Sequence, residues 1–201
     1  MLSPLRRLLL PLLATALLTT LLTTLLTAVL TTVATSPASA AIEDYASYQP
    51  QTRCSPAAKP GTVALGRWLV KKYGGSYGGV SRRCGSGTSE HAEGRAFDWT
   101  LDARRKADRR AARAFLRDVR AADGKGREDA KARRMGIMYL IWDDRMYAAW
   151  NGFEPEPYLS SSCRKRAKCS TTLRHRDHLH VSLTRKGGRG ATSWYAGRLA
   201  G

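Results

Sequence analysis

The sequence predicts an α+β fold, a small and mostly antiparallel sheet with helices packed on one side. Two stretches, 63–73 and 102–122, repeat their apolar residues at helical spacing. An unbroken apolar run, Ile137 to Trp142, has the length and composition of a buried strand. Turn residues rather than crossover helices separate it from the next strand candidate, so the pairing is expected to be antiparallel.

Taken in order, the chain opens with an export leader. Arg6 and Arg7 precede an uncharged Leu/Thr/Ala run from Leu8 to Val33, and Ala38-Ser39-Ala40 forms a small-residue cleavage site. An uncleaved membrane anchor is the rival reading, because the run is long enough to span a bilayer. The Pro37 break and the recurring threonine pairs favour cleavage after Ala40, with no stable membrane insertion afterwards. Residues 41–60 form a polar, proline-containing lead-in, and 61–201 the functional domain.

Thr62 is placed to cap a helix from Val63 to Tyr73, with Leu65, Trp68, Leu69 and Tyr73 on one face and Gly74-Gly75 ending it. A Gly/Ser-rich loop follows, with a short strand expected at Val80. Asp102 is expected to begin a second helix running to about Ala122. Its stripe is Ala107, Ala111, Phe115 and Val119, with Ala112 and Leu116 beside it. A short basic helix, Glu128 to Met135, ends at Gly136 before the Ile137 strand. Asp143-Asp144 turns the chain into a second strand, Met146 to Trp150, and Asn151-Gly152 turns it again. Glu154 to Lys168 is expected to be loop, and Leu179 to Thr184 the last strand.

Removing residues 1–40 leaves 201 − 40 = 161 residues, enough for one core, and a charge of 32 − 16 = +16. Such a protein is drawn to anionic polymers outside the cell: wall peptides and phosphates, a membrane surface or nucleic acid. Four cysteines in an exported chain fit two disulfides, and three pairings exist. The most economical joins Cys54 to Cys84 and Cys163 to Cys169. A four-thiolate zinc site fits the long, irregular spacings poorly.

All four histidines fall in two segments, Ser89–Trp99 and His175–Val181. His91 and Asp98 are good divalent-metal ligands, but on one continuous helix they would stand about 10 Å apart along the axis. A turn at Gly94 would fold Asp98 back beside His91. On a strand, His178 and His180 share a face. With His91, Asp98 and His180 as ligands, a fourth tetrahedral position stays open, the arrangement of a catalytic zinc site.

Ser89-x-His91-x-x-Gly94-x-Ala96-x-Asp98 resembles the metal-binding signature of the zinc D-alanyl-D-alanine carboxypeptidases and dipeptidases. Asp177-His178-x-His180 is similar to the closing motif of the wider Hedgehog/DD-peptidase fold. Together with Arg133–Trp142, these landmarks also resemble a family of small exported actinobacterial-type domains, over Cys54 to about Leu183. The resemblance implies that His91, Asp98 and His180 hold Zn2+. It puts Ser89 near the metal as a substrate contact, with His175 as a further one. The carboxypeptidases place their catalytic glutamate where Asp177 stands here. Related endopeptidases line the site with the first histidine of a His-x-His pair, here His178. Strand geometry favours His178 as the base, with Asp177 second.

The implied reaction is amide hydrolysis, with metal-activated water and a base that moves the proton. The expected substrate is the peptide stem of peptidoglycan, and a monomer is expected. A non-catalytic zinc module that binds wall or another anionic polymer is the first alternative. A secreted metal-dependent nuclease ranks lower, as does nucleic acid as a partner.

Overall fold

The computed structural model describes residues 42–85 and 87–199. The leader expected over 1–40 lies outside the described residues. Among the described residues, no helix is long and apolar enough to cross a membrane.

A six-stranded antiparallel sheet forms the body: β1 (Ser76–Tyr77), β2 (Ala96–Thr100), β3 (Ile137–Trp142), β4 (Arg145–Ala148), β5 (Pro155–Pro157) and β6 (His178–Leu183). Their spatial order is β1-β2-β6-β3-β4-β5, with every neighbouring pair antiparallel. The strand latest in sequence, β6, is therefore central. Four helices accompany the sheet: α1 (Pro60–Tyr73), α2 (Lys106–Arg120), α3 (Ala130–Met135) and α4 (Arg185–Gly188).

Strand alternation sorts the side chains onto two faces. Phe97 and Trp99 of β2, Leu140 and Trp142 of β3, and Leu179, Val181 and Leu183 of β6 join the main core. Leu65 and Leu69 of α1 enter the same core, as do Phe115, Leu116 and Val119 of α2. Burying one such side chain stabilises the fold by about 1.5–3 kcal/mol, so this layer dominates the energetics. The opposite face carries Asp98, His178, His180 and Ser182 beside a smaller cluster of Met138, Tyr139, Ile141 and Ala148.

Several element boundaries differ from expectation. Helix α1 starts at Pro60, whose missing N–H costs nothing in the first turn, so Lys59 is the N-cap and Thr62 is buried. Helix α2 starts at Lys106 rather than Asp102. The Asp102 carboxylate accepts the Arg104 backbone N–H at 2.8 Å and so holds a turn in place of the first helical residues. Ala107, expected in the apolar stripe, consequently falls in the first turn and is exposed.

Val80 is in no strand; the pairing with β2 is made by Ser76 and Tyr77 instead. Within the segment read as loop, Pro155–Pro157 pairs with β4 as an edge strand, where a missing N–H is tolerated. Asp143 and Asp144 both take left-handed φ, +46° and +63°, as a two-residue hairpin turn requires. The 42–59 lead-in has no regular structure but is bound to the body. The Tyr45 hydroxyl donates to Asp129 at 2.7 Å, and the Gln49 carbonyl accepts from Arg95. Two disulfides, Cys54–Cys84 and Cys163–Cys169, tie down the loops.

Candidate metal centre

His91 sits in a short 3-10 turn, Glu90–Glu93, that ends at Gly94. Gly94 has φ +63°, and a Cβ there would lie 2.0 Å from the Ala57 carbonyl oxygen, so only glycine fits. That turn reverses the chain into β2 and lays Asp98 beside His91. Asp98 is also paired in register with His180 of β6.

Three atoms converge. His91 Nε2 lies 3.1 Å from Asp98 Oδ1 and 3.3 Å from His180 Nδ1, and His180 Nδ1 lies 2.9 Å from the same Oδ1. Donors on a tetrahedral ion with bonds of about 2.0 Å stand about 3.3 Å apart. The spacing fits such an ion.

The outer partners assign where the ring protons sit. His91 Nδ1 is 3.3 Å from the Val80 carbonyl, which can only accept, so Nδ1 carries the proton and Nε2 is a bare lone pair. His180 Nε2 is 2.9 Å from Ser182 Oγ, and Ser182 in turn donates to Glu90 Oε2 at 3.4 Å. His180 Nε2 therefore carries its proton, and Nδ1 is bare. Three electron-rich atoms then face one another with no hydrogen among them, which a cation relieves. An added proton on His180 is opposed by burial, which pushes that ring below the ordinary histidine range.

Behind this centre stands a buried polar layer. Glu90 Oε2 accepts the Tyr139 hydroxyl at 2.6 Å, and the Tyr139 ring stacks on His180 with centroids 5.6 Å apart. Burial and the Glu90 carboxylate push the Tyr139 phenol up, so it acts as a donor. Arg95 donates to Glu93 Oε2 at 2.7 Å and lies 3.9 Å from Glu90. Such partners orient ligands and tune their basicity.

Asp177 and His178 lie at the open side. The Asp177 carboxylate accepts hydrogen bonds from His178 Nδ1–H at 2.7 Å and from the Thr172 hydroxyl at 2.5 Å. Burial raises the Asp177 pKa, but these two bonds outweigh it and the net shift is downward. His178 Nε2 is thereby a free lone pair, 3.7 Å from Asp98 Oδ1. The His175 ring packs 4.7 Å from that of His178 and 5.6 Å from that of His180. Burial first, and then the neighbouring histidines, push His175 down to about 3. His175, His178 and His180 form a second group of mutually close donors that shares His180 with the first. Ser89 is half-buried just before the 3-10 turn. Its backbone N–H donates to Gln51, and its side chain makes no capping bond.

Sequence reasoning missed Glu90, Ser182 and Arg95. Ser182 was findable, since it follows His178 and His180 at strand spacing and must share their face. Glu90 and Arg95 carry no periodic signal. Of the strand aromatics, Tyr139 lies on this face, whereas Trp99 and Trp142 belong to the helix-side core.

A family model described as VldE, C-terminal domain, matches residues 54–162, more than half of the 201-residue chain. The chain belongs to the VldE C-terminal domain family. The matched stretch includes His91 and Asp98 but stops before His175–His180, so the third ligand candidate comes from outside it. No curated protein and no solved structure matches the chain significantly.

Proposed function

We propose that this VldE C-terminal domain protein is an exported zinc-dependent hydrolase that cleaves amide bonds in the peptide portion of peptidoglycan. The observation that carries the reading is the convergence of three bare donor atoms, from His91, Asp98 and His180, beside a third, separately oriented histidine, His178. His91, Asp98 and His180 would hold the ion. Bound zinc supplies Lewis acidity toward a carbonyl and lowers the pKa of water.

The remaining work falls to the chain. Asp177 fixes the His178 ring with its proton on Nδ1, which leaves Nε2 to accept a proton and pass it to a leaving amine. Glu90 and Ser182 keep His180 presenting Nδ1. The basic surface favours an acidic polymer, and two disulfides suit an oxidising compartment outside the cell. The likeness of Ser89–Asp98 to the zinc carboxypeptidase signature supports peptide rather than phosphodiester chemistry.

One observation favours a second reading. If His178 joins His180 in the donor group it shares with His175, the ion gains a fourth protein ligand and the site is closed, as in structural zinc centres. The protein is then a wall-binding module without hydrolytic activity.

Metal analysis and muropeptide digestion of the purified protein and of His178→Ala separate the two. The hydrolase reading expects the intact protein to release fragments detectable by mass. It also expects the variant to keep its zinc and lose the release. Zinc lost with His178, or no release by the zinc-loaded intact protein, overturns it in favour of the module.

A further inference from the structure

Across the Arg95–Glu90 pair from His180, the surface sinks into a cavity of about 220 Å³. Arg53, Lys59, Arg95, Arg185 and Arg189 line it, together with a single carboxylate, Glu93. Five cations against one carboxylate leave the walls at 5 − 1 = +4. Glu93 is engaged on the inner side of the wall, by Arg95 at 2.7 Å and by the Thr52 backbone N–H at 3.1 Å. Lys59 is steered by Ser55 at 2.9 Å, and Arg185 by the Pro50 carbonyl at 2.7 Å and the Thr52 hydroxyl at 3.1 Å. Neutral groups thus hold Lys59 at the wall and help hold Arg185, which also lies 3.8 Å from Glu93. The side chains of Arg53 and Arg189 are exposed and, among the described residues, make no hydrogen bond or ion pair.

Like charges gathered in a concave wall repel one another and focus the field on the space between them. A compact ion with two negative charges relieves that repulsion better than a monoanion, and guanidinium forks match tetrahedral oxyanions in geometry. We propose that this cavity binds a phosphate monoester dianion, with Arg53 and Arg189 closing on its oxygens and Lys59 and Arg185 pre-positioned behind them. The site is separate from the metal cluster and does not depend on the hydrolase reading.

The test titrates inorganic phosphate into the chelator-treated, disulfide-intact protein at pH 7.5, with ionic strength held constant by chloride. Saturable binding is expected, displaced by sulfate but not by acetate or by the diester dimethyl phosphate. Arg53→Ala and Arg189→Ala should each weaken it at least tenfold. Both side chains are unpartnered, so the variants should fold, and circular dichroism checks that. The double variant Arg113→Ala/Arg117→Ala, on the outer face of α2, should bind within twofold of the parent. The proposal is overturned by an absence of saturable binding, by equal weakening in the α2 variant, or by a preference for the diester. Loss of binding in Asp98→Asn would also overturn it, since that locates the phosphate at the metal cluster.

Discussion

Arg95 is only 2 % exposed, and four acceptors surround its guanidinium. Nε donates to Glu93 at 2.7 Å and Nη1 to the Leu183 carbonyl at 2.7 Å. Nη2 donates to the Gln49 carbonyl and lies 3.9 Å from Glu90. Arg95→Met keeps much of the side-chain volume and removes the charge, leaving Glu93 buried without its partner. Orphaning one member of a buried pair costs about 3–5 kcal/mol. Protonation sets a ceiling on that cost: neutralising a glutamate of ordinary pKa at pH 7 takes about 2.7 pH units, or about 3.7 kcal/mol. The expected loss is therefore about 4 kcal/mol at pH 7, including some of the cost of the two carbonyls.

The sign of its pH dependence follows. In the parent protein, burial opposes the Glu93 charge, but the Thr52 N–H and Arg95 hold its pKa below the ordinary value. That contribution is present above the unfolded pKa and is lost as pH falls through the folded one. In the variant, Glu93 keeps only the Thr52 N–H and the more distant Arg185 against its burial, so its folded pKa is expected to rise above the unfolded one and the variant to gain stability as pH falls. The gap between the two proteins should close by about 1.4 kcal/mol per unit between pH 7 and 5. Replacing both members, Arg95→Met with Glu93→Leu, should recover most of the loss. Urea denaturation at the two pH values measures all of this. A loss under about 1 kcal/mol at pH 7 with no pH dependence would refute the argument that Arg95 is the electrostatic anchor of this layer.

Zinc at a hundredfold excess over its dissociation constant should stabilise the parent protein by about 2.7 kcal/mol. That is a melting shift of roughly 5–11 °C for a domain of this size, and Asp98→Asn should abolish it in a calorimetric scan. Glu90→Gln preserves shape but weakens the hold on Ser182 and His180, and competition with a chelating dye should read about a 10–100-fold loss of zinc affinity. In chelator, the unfolded chain protonates His175 at its ordinary pKa, while the folded ring stays neutral down to about 3. Stability should then fall as pH drops below about 6.5. The fully buried limit at pH 5 is about 2 kcal/mol, and partial solvent contact halves it, so His175→Asn should flatten the pH 7–5 denaturation profile by about 1 kcal/mol. Replacing Cys54 and Cys84 by serine should cost about 3.5 kcal/mol, against about 2 kcal/mol for Cys163 and Cys169, because the closed loop is longer. Thermal unfolding of the two double variants checks the ranking.

The parts of the fold legible in the sequence were those with strong local periodicity. The Ile137–Trp142 run is the strand β3 itself, and α1 ends at the glycine pair that marks it. Non-local terms decided the rest. Nothing near Pro155 announces pairing with β4, since its register comes from the hairpin before it. The start of α2 turned on one carboxylate–amide bond at Asp102, where helix propensity alone favours starting earlier. At the site, the donors that converge were readable as residue types, and Gly94 as the turn that brings two of them together. The order of the strands was not readable, and neither was the Glu90–Arg95 layer, because its members are buried charges that only tertiary partners make tolerable.

β6 (His178–Leu183) lies between β2 and β3 although these end far earlier in the chain, at Thr100 and Trp142. Its inward side chains complete the hydrophobic layer, while its outward ones bring His178 and His180 to Asp98. A polypeptide only partly synthesised therefore has His91 and Asp98 but not their companion. The cluster assembles only when the final rung slots home, so the convergence of these donors coincides with completion of the tertiary structure rather than preceding it.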